Sequence, residues 1–200
     1  MHDIILASSS VYRRQLLNKL GINYRWQAPD IDEAPIGGES PTELVKRLSK
    51  FKAMALAPHY PTGLIIGSDQ VASLENQILG KPGNHANAKA QLETVSGKQV
   101  TFFTGLTLYN ATTRTTQTCC EIYQVTFRQL TEAQIENYLQ REQPYDCAGS
   151  FKSEGLGIAL FDKLNGRDPN TLIGLPLIAL IDMLNREGIE VLGAKRGAAI

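Results

Sequence analysis

The chain alternates short, fully apolar runs with longer segments in which apolar residues recur every three or four positions. The first run, residues 3–7, predicts a buried strand. Ser10 then stands where a helix N-cap would, and Leu16, Leu17 and Leu20 form a stripe that stops at Gly21. Residues 24–27 alternate weakly, as a second strand would, and residues 28–39, with Pro29, Pro35, Gly37 and Gly38, read as loop. Ser40-Pro41-Thr42-Glu43 is a capping box with proline at the first helical position, and Leu44, Val45, Leu48, Phe51 and Ala55 follow at helical spacing. Leu64-Ile65-Ile66 is a strand core expected to break at Gly67-Ser68-Asp69-Gln70, with a short hairpin leading on to Lys81-Pro82. Asn84 caps a predicted helix over residues 84–95, and residues 100–110 and 116–128 read as a hairpin of two long strands. Thr131-Glu132-Ala133-Gln134 opens another helix, to about residue 141. Residues 147–151 and 156–161 predict short strands around a polar turn, and residues 175–186 a last, mostly apolar helix ended by Gly188. This irregular alternation, with at least one antiparallel hairpin, predicts an α/β or α+β fold on a mixed sheet rather than a regular doubly wound one.

Composition narrows the function classes. With 200 residues, 42% of them hydrophobic, the chain suits one domain, read here as residues 1–190 with 191–200 as a flexible tail. Twenty basic and twenty acidic side chains cancel, which argues against a wide nucleic-acid footprint and confines any anion site to a local cluster. No apolar run approaches the roughly 20 residues of a membrane span. The opening segment turns polar at Ser8 and reads as a strand rather than a signal peptide. Cys119, Cys120 and Cys147 are odd in number and lack a C-x-x-C spacing, so they read as reduced thiols of a cytoplasmic protein.

Four polar clusters stand where packing alone does not ask for them. Ser8-Ser9-Ser10-Val11-Tyr12-Arg13-Arg14 joins a strand to a helix and offers hydroxyls and backbone N–H groups to an anion. Arg13 opposes the helix dipole there, which a bound phosphate would relieve; an arginine snorkelling to solvent is the plain alternative. Asp32-Glu33 in the loop are hard oxygen ligands for Mg²⁺ or Mn²⁺, or simply solvated acids. Asp69, at the expected end of a buried strand, carries a charge that is costly to desolvate without a partner or a task. Residues 149–155 and 166–170 are two polar turns bearing both charge signs, suited to a ligand with an anionic part and a hydrogen-bonding part. Lys52 lies on the apolar flank of its helix, to snorkel outward or to reach inward to a phosphate. Together these supply what phosphoanhydride hydrolysis needs: neutralised oxygens, a metal and an oriented water. His2, His59 and His85 fall near the terminus or in polar loops, with no convincing Ser-His-Asp set and no zinc spacing.

At these residues the sequence resembles the Maf family. The resemblance is carried in order by Ile4-Ile5-Leu6-Ala7-Ser8-Ser9-Ser10 with Arg13-Arg14, Asp32-Glu33, Gly67-Ser68-Asp69-Gln70, Gly80-Lys81-Pro82, Phe103-Thr104-Gly105, Lys152-Ser153-Glu154-Gly155 and Asn170-Thr171-Leu172-Ile173-Gly174-Leu175-Pro176. It implies a fold related to inosine-triphosphate pyrophosphatases, with an elongated mixed sheet, flanking helices and a central cleft. It implies cleavage of a nucleoside triphosphate between the α and β phosphates. The residue matching Asp69 is the proton acceptor, and Glu33, with Asp69, holds a divalent Mg²⁺ or Mn²⁺. Ser8, Ser10, Arg13, Lys52 and Lys81 match the residues that line the polyphosphate. A homodimer is implied as well, and no stable nucleic-acid partner.

Substrate choice in the family follows three positions, which here match Tyr12, Gln70 and Glu154. An aromatic, Gln and Glu is similar to the branch acting on 7-methyl-GTP, with Tyr12 where tryptophan is commoner. Arginine, threonine and glutamine mark the dTTP and UTP branch, the nearest alternative. A nucleotide-binding regulator of cell division without catalysis is the alternative of another class. The chemistry of the bases agrees with the first reading. N7-methylation makes guanine cationic, which an aromatic face and a carboxylate both favour, and the carboxylate accepts from N1–H and the exocyclic amine.

Overall fold

A computed structural model describes residues 3–75 and 77–193. His2 and most of the expected tail, from residue 194 on, lie outside them. In chain order the elements are β1 (Ile4–Ala7), α1 (Val11–Asn18), β2 (Arg25–Gln27), α2 (Pro41–Ala55), β3 (Leu64–Leu74), β4 (Gln77–Leu79) and α3 (His85–Val95). They continue with β5 (Gln99–Asn110), β6 (Thr115–Phe127), α4 (Glu132–Glu142), β7 (Phe161–Gly166), α5 (Asn170–Ile173) and α6 (Leu177–Arg186). The expected caps are made: Ser10, Ser40, Asn84 and Thr131 accept from the backbone N–H three residues on, and Glu43 and Gln134 complete capping boxes.

The strands form one mixed seven-stranded sheet in the order β2-β1-β3-β5-β6-β7, with β4 on β3. β1 pairs parallel with β2 and β3, and the other pairings are antiparallel. Strand β1 and the Leu64–Ile66 start of β3 are apolar on both faces because helices cover both. Ile5, Ala7 and Ile65 pack with Ala53 and Leu56 of α2, while Ile4, Leu6, Leu64 and Ile66 pack with Leu16 and Leu17 of α1 and Leu180 and Leu184 of α6. A third cluster joins the far ends of β5 and β6 to α3 and α4.

Two glycines let α2 lie directly on the sheet. A Cβ at Gly67 would stand 2.0 Å from the Ser49 carbonyl oxygen, and one at Gly105 would stand 2.1 Å from that of Val45. The helix backbone therefore rests on β3 and β5, and Ser49 and Thr107 hydrogen-bond beneath it at 3.0 Å.

The structure corrects three expectations. β3 does not break at Gly67 but runs on to Leu74, paired with β5 from Leu64 to Ser73. What ends is its neighbour: β1 pairs only as far as Gly67, and pairing with β4 begins at Ala72. Residues 68–71 thus lie in a gap on one edge of an otherwise paired strand. Residues 147–151 and 156–161 are not strands but hold 3-10 turns, Ala148–Ser150 and Leu156–Leu160. Gly149 (φ 77°) and Ser150 (φ 62°) are left-handed, which a strand cannot be. β7 follows instead, antiparallel to β6. His85 is no loop residue but the first residue of α3.

Candidate active site

The gap on the β3 edge faces the loop that joins β1 to α1. There the Ser8 hydroxyl accepts from the Ser10 N–H at 3.1 Å, and Ser10 caps α1 by accepting from the Arg13 N–H. Arg13 donates through Nε to the Gly174 carbonyl at 2.8 Å, and Ser68 Oγ reaches the same oxygen at 2.9 Å. The turn between α5 and α6 thereby fixes the guanidinium, whose Nη1 and Nη2 have no protein hydrogen bond among the described residues. Burial pulls Arg13 below the ordinary guanidinium value, and the charges of Asp69 and Glu33 oppose that pull.

Successive residues of β3 point to opposite faces. On the α2 face Lys52 reaches inward, the second of its two expected dispositions. Its Nζ lies 2.6 Å from Asp69 Oδ1 and 2.9 Å from Glu33 Oε1. The lysine and Asp69 side chains are only 8% and 10% exposed, against 59% for Glu33. An ammonium this buried needs such partners. The second oxygens, Asp69 Oδ2 and Glu33 Oε2, have no protein hydrogen bond among the described residues. Among the described residues no group of three or more His, Cys, Asp or Glu stands ready to hold a metal ion.

On the other face Gln70 Nε2 donates to the Thr171 carbonyl at 2.7 Å and lies 3.2 Å from that of Leu172 and 2.9 Å from Thr104 Oγ1. Backbone carbonyls only accept, so the amide nitrogen belongs there and the carbonyl Oε1 is left over as an acceptor.

A cleft of about 260 Å³ opens beside these groups and brings together Ser10, Tyr12, Arg13, Gln70, Lys81 and Glu154. Its lining carries both charge signs. Arg13 and Lys81 supply cations, whereas Tyr12 lies among acids: its hydroxyl pKa is raised by burial first, then by Cys147, Asp146 and Glu154. Ser8, Lys52, Glu33 and Asp69 do not line this cleft. Ser8 is buried beneath Ser10, and the ion triad stands on the other face of β3, within electrostatic reach of Arg13.

Of the two polar turns, residues 149–155 contribute to the cleft and residues 166–170 do not. Arg167 pairs outside it with Asp182 and Glu121, and the buried Asp168 caps backbone N–H groups of Asn170 and Ile178. Sequence reasoning missed Phe102, Asp146 and Cys147, which also line the cleft, and singled out Phe151 only as part of the polar turn 149–155. The two phenylalanines pack edge-to-face with ring centroids 5.4 Å apart and read along the chain as ordinary core. A larger groove of about 580 Å³ lies beyond α2, lined by Ile31, Ile36, Phe51 and Met54. Its arginine, Arg47, is spent on Glu39 and on the Ala34 carbonyl, so the groove has no free cation for an anion.

The chain belongs to the Maf family: it matches the model of Maf-like proteins over residues 3–187, which contain the gapped strand, the lysine–carboxylate triad and the cleft. It is 54% identical to a protein of Pseudoalteromonas translucida named 7-methyl-GTP pyrophosphatase, over 97% of this chain and 96% of that one. It is 57% identical to one of Alcanivorax borkumensis with the same name, over 94% and 95%. Among solved structures, the Ham1 protein of Staphylococcus aureus shares 14% identity at a TM-score of 0.46, covering 64% of this chain and 72% of that one, too loose a likeness to bear on function. No helix among the described residues is long and apolar enough to cross a membrane.

Proposed function

We propose that this protein is a pyrophosphatase that splits the α–β phosphoanhydride of 7-methyl-GTP, giving 7-methyl-GMP and pyrophosphate. The observation that carries the reading is the polarity of the cleft. Its lining presents the Tyr12 ring, the spare amide oxygen of Gln70 and carboxylates together with the guanidinium of Arg13 and the ammonium of Lys81. A cationic, donor-rich base joined to a polyanion matches both kinds of group. Thymine and uracil are neutral and lack the adjacent donor pair, so they leave Glu154 without a partner. The names of the close relatives support the same substrate.

In this reading Ser10, Arg13 and Lys81 hold the polyphosphate, Ser8 supports the Ser10 backbone from beneath, Lys52 stands on the other face of β3, and Tyr12, Gln70 and Glu154 read the base. Glu33 and Asp69 each keep one oxygen free of protein partners, a donor set that fits Mg²⁺ or Mn²⁺. Such ions are held by one or two carboxylates and complete their shell with water and substrate phosphate. When bound, the ion supplies charge neutralisation on the phosphate oxygens. Asp69 takes the proton of the attacking water, Lys52 fixes the carboxylate in place, and Arg13 and Lys81 stabilise the charge that builds on the leaving pyrophosphate. A homodimer and a cytoplasmic location belong to the proposal on family resemblance.

The test is product identity. With Mg²⁺ and 7-methyl-GTP the expected products are 7-methyl-GMP and pyrophosphate in equal amounts, resolved by ³¹P NMR, with activity lost in excess EDTA. Formation of 7-methyl-GDP and phosphate would overturn the assignment of the scissile bond.

A further inference from the structure

Asp146 is a second carboxylate of the cleft lining, beside Tyr12 and Glu154. It has no salt bridge among the described residues, and its side chain meets only a long contact from Cys147 Sγ, 3.5 Å from Oδ1. That thiol cannot balance it, because its only ionised form is itself an anion. Of the two lysines nearby in the fold, Lys152 donates to the Glu142 carbonyl at 3.0 Å, and Lys81, which lines the same cleft, makes no salt bridge with Asp146 among the described residues. The turn that carries Asp146 is tied down. The Tyr145 carbonyl accepts from the Gly83 N–H at 2.9 Å, the Tyr145 hydroxyl meets His85 Nδ1 at 3.0 Å, and the Cys147 N–H donates to the Pro144 carbonyl at 3.2 Å. Two carboxylates near one ring repel each other, and a ligand that brings positive charge between them relieves the repulsion. Glu154 suffices for the N–H edge of a guanine. The charge on an N7-alkylated ring is what remains to be met.

We propose that Asp146 is a further specificity-determining residue, whose carboxylate balances the cationic ring of an N7-alkylated purine lying on Tyr12 while Glu154 takes the N–H edge. This role rests on the reading of the cleft as a 7-methyl-GTP site, and it assigns the preference for the methylated over the plain nucleotide chiefly to one residue.

The test compares kcat/KM for 7-methyl-GTP and GTP in the full-length wild type, Asp146→Asn and Asp146→Glu, at low salt and at high salt. In Asp146→Asn the ratio of the two falls by about 3- to 10-fold, the range of one partly solvated charge pair. Asp146→Glu, which keeps the charge, retains most of the wild-type ratio. In the wild type the ratio shrinks with added salt, and in Asp146→Asn it shrinks less. Equal losses on both nucleotides in Asp146→Asn would make the residue a mere holder of its turn and overturn the proposal, as would an unchanged ratio. A wild type without preference for 7-methyl-GTP would instead strike at the reading of the base, a separate failure visible before any variant is made.

Discussion

Replacing Asp69 by Asn is expected to lower kcat on 7-methyl-GTP by about 10³-fold, within the range for a lost general base. A non-hydrolysable α,β-methylene analogue should still bind within a few-fold of wild type. Asn keeps the shape of the side chain and an oxygen toward Lys52, which now sits 2.6 Å from Asp69 Oδ1 and 2.9 Å from Glu33 Oε1, so the ammonium is not abandoned in the interior. What Asn cannot do is accept a proton from water or offer a charged oxygen. Turnover within tenfold of wild type would remove Asp69 from its role. Loss of analogue binding in parallel with kcat would show that the residue holds the site together rather than acting on water.

Gly67→Ala is expected to destabilise the protein by about 3 kcal/mol or to prevent folding, at the upper end of overpacking costs. For a chain of this length that is a fall in Tm of about 6–12 °C. The new methyl would lie 2.0 Å from the Ser49 carbonyl oxygen and 2.9 Å from the Ala53 nitrogen, both backbone atoms of α2 that cannot rotate away. Relief requires the helix to lift from β3. Lys52 belongs to that helix, so any folded variant also loses the 2.6 Å contact with Asp69 and with it activity. The measurement is a thermal melt alongside kcat. An unchanged Tm with unchanged activity would mean that α2 does not rest on the strand.

Much of this was legible in the sequence because it depends on local chemistry. Ser40 with Glu43 and Thr131 with Gln134 announce their helices by capping alone, and β5 and β6 by their long β-branched and aromatic runs. Tyr12, Arg13, Gln70, Lys81 and Glu154 were singled out from motifs and do meet in one cleft. The misreadings arise where partners are distant in the chain. Gly67-Ser68-Asp69-Gln70 looks like a strand end because it is polar, yet pairing with Leu106, Gly105 and Thr104 of β5 carries the strand through it. That Gly67 and Gly105 serve the approach of α2 depends on Ser49 and Val45, which no local pattern links to them. The strand expected near residues 147–151 fails because Gly149 and Ser150 adopt left-handed backbone, and Ser150 is held by Gln91, 59 positions away. Asp146 escaped notice because an acid two residues after a proline, in a polar stretch, is unremarkable until the fold sets it beside Tyr12.

The central claim is that the one cleft reads a cationic guanine and a triphosphate together. Its most direct test is kcat/KM for pyrophosphate release, with Mg²⁺ and with Mn²⁺, from 7-methyl-GTP, GTP, dTTP and UTP. The expected result is a preference for 7-methyl-GTP of at least about tenfold over each of the others, or about 1.4 kcal/mol. A preference for dTTP or UTP, or no release from any of the four, would contradict it.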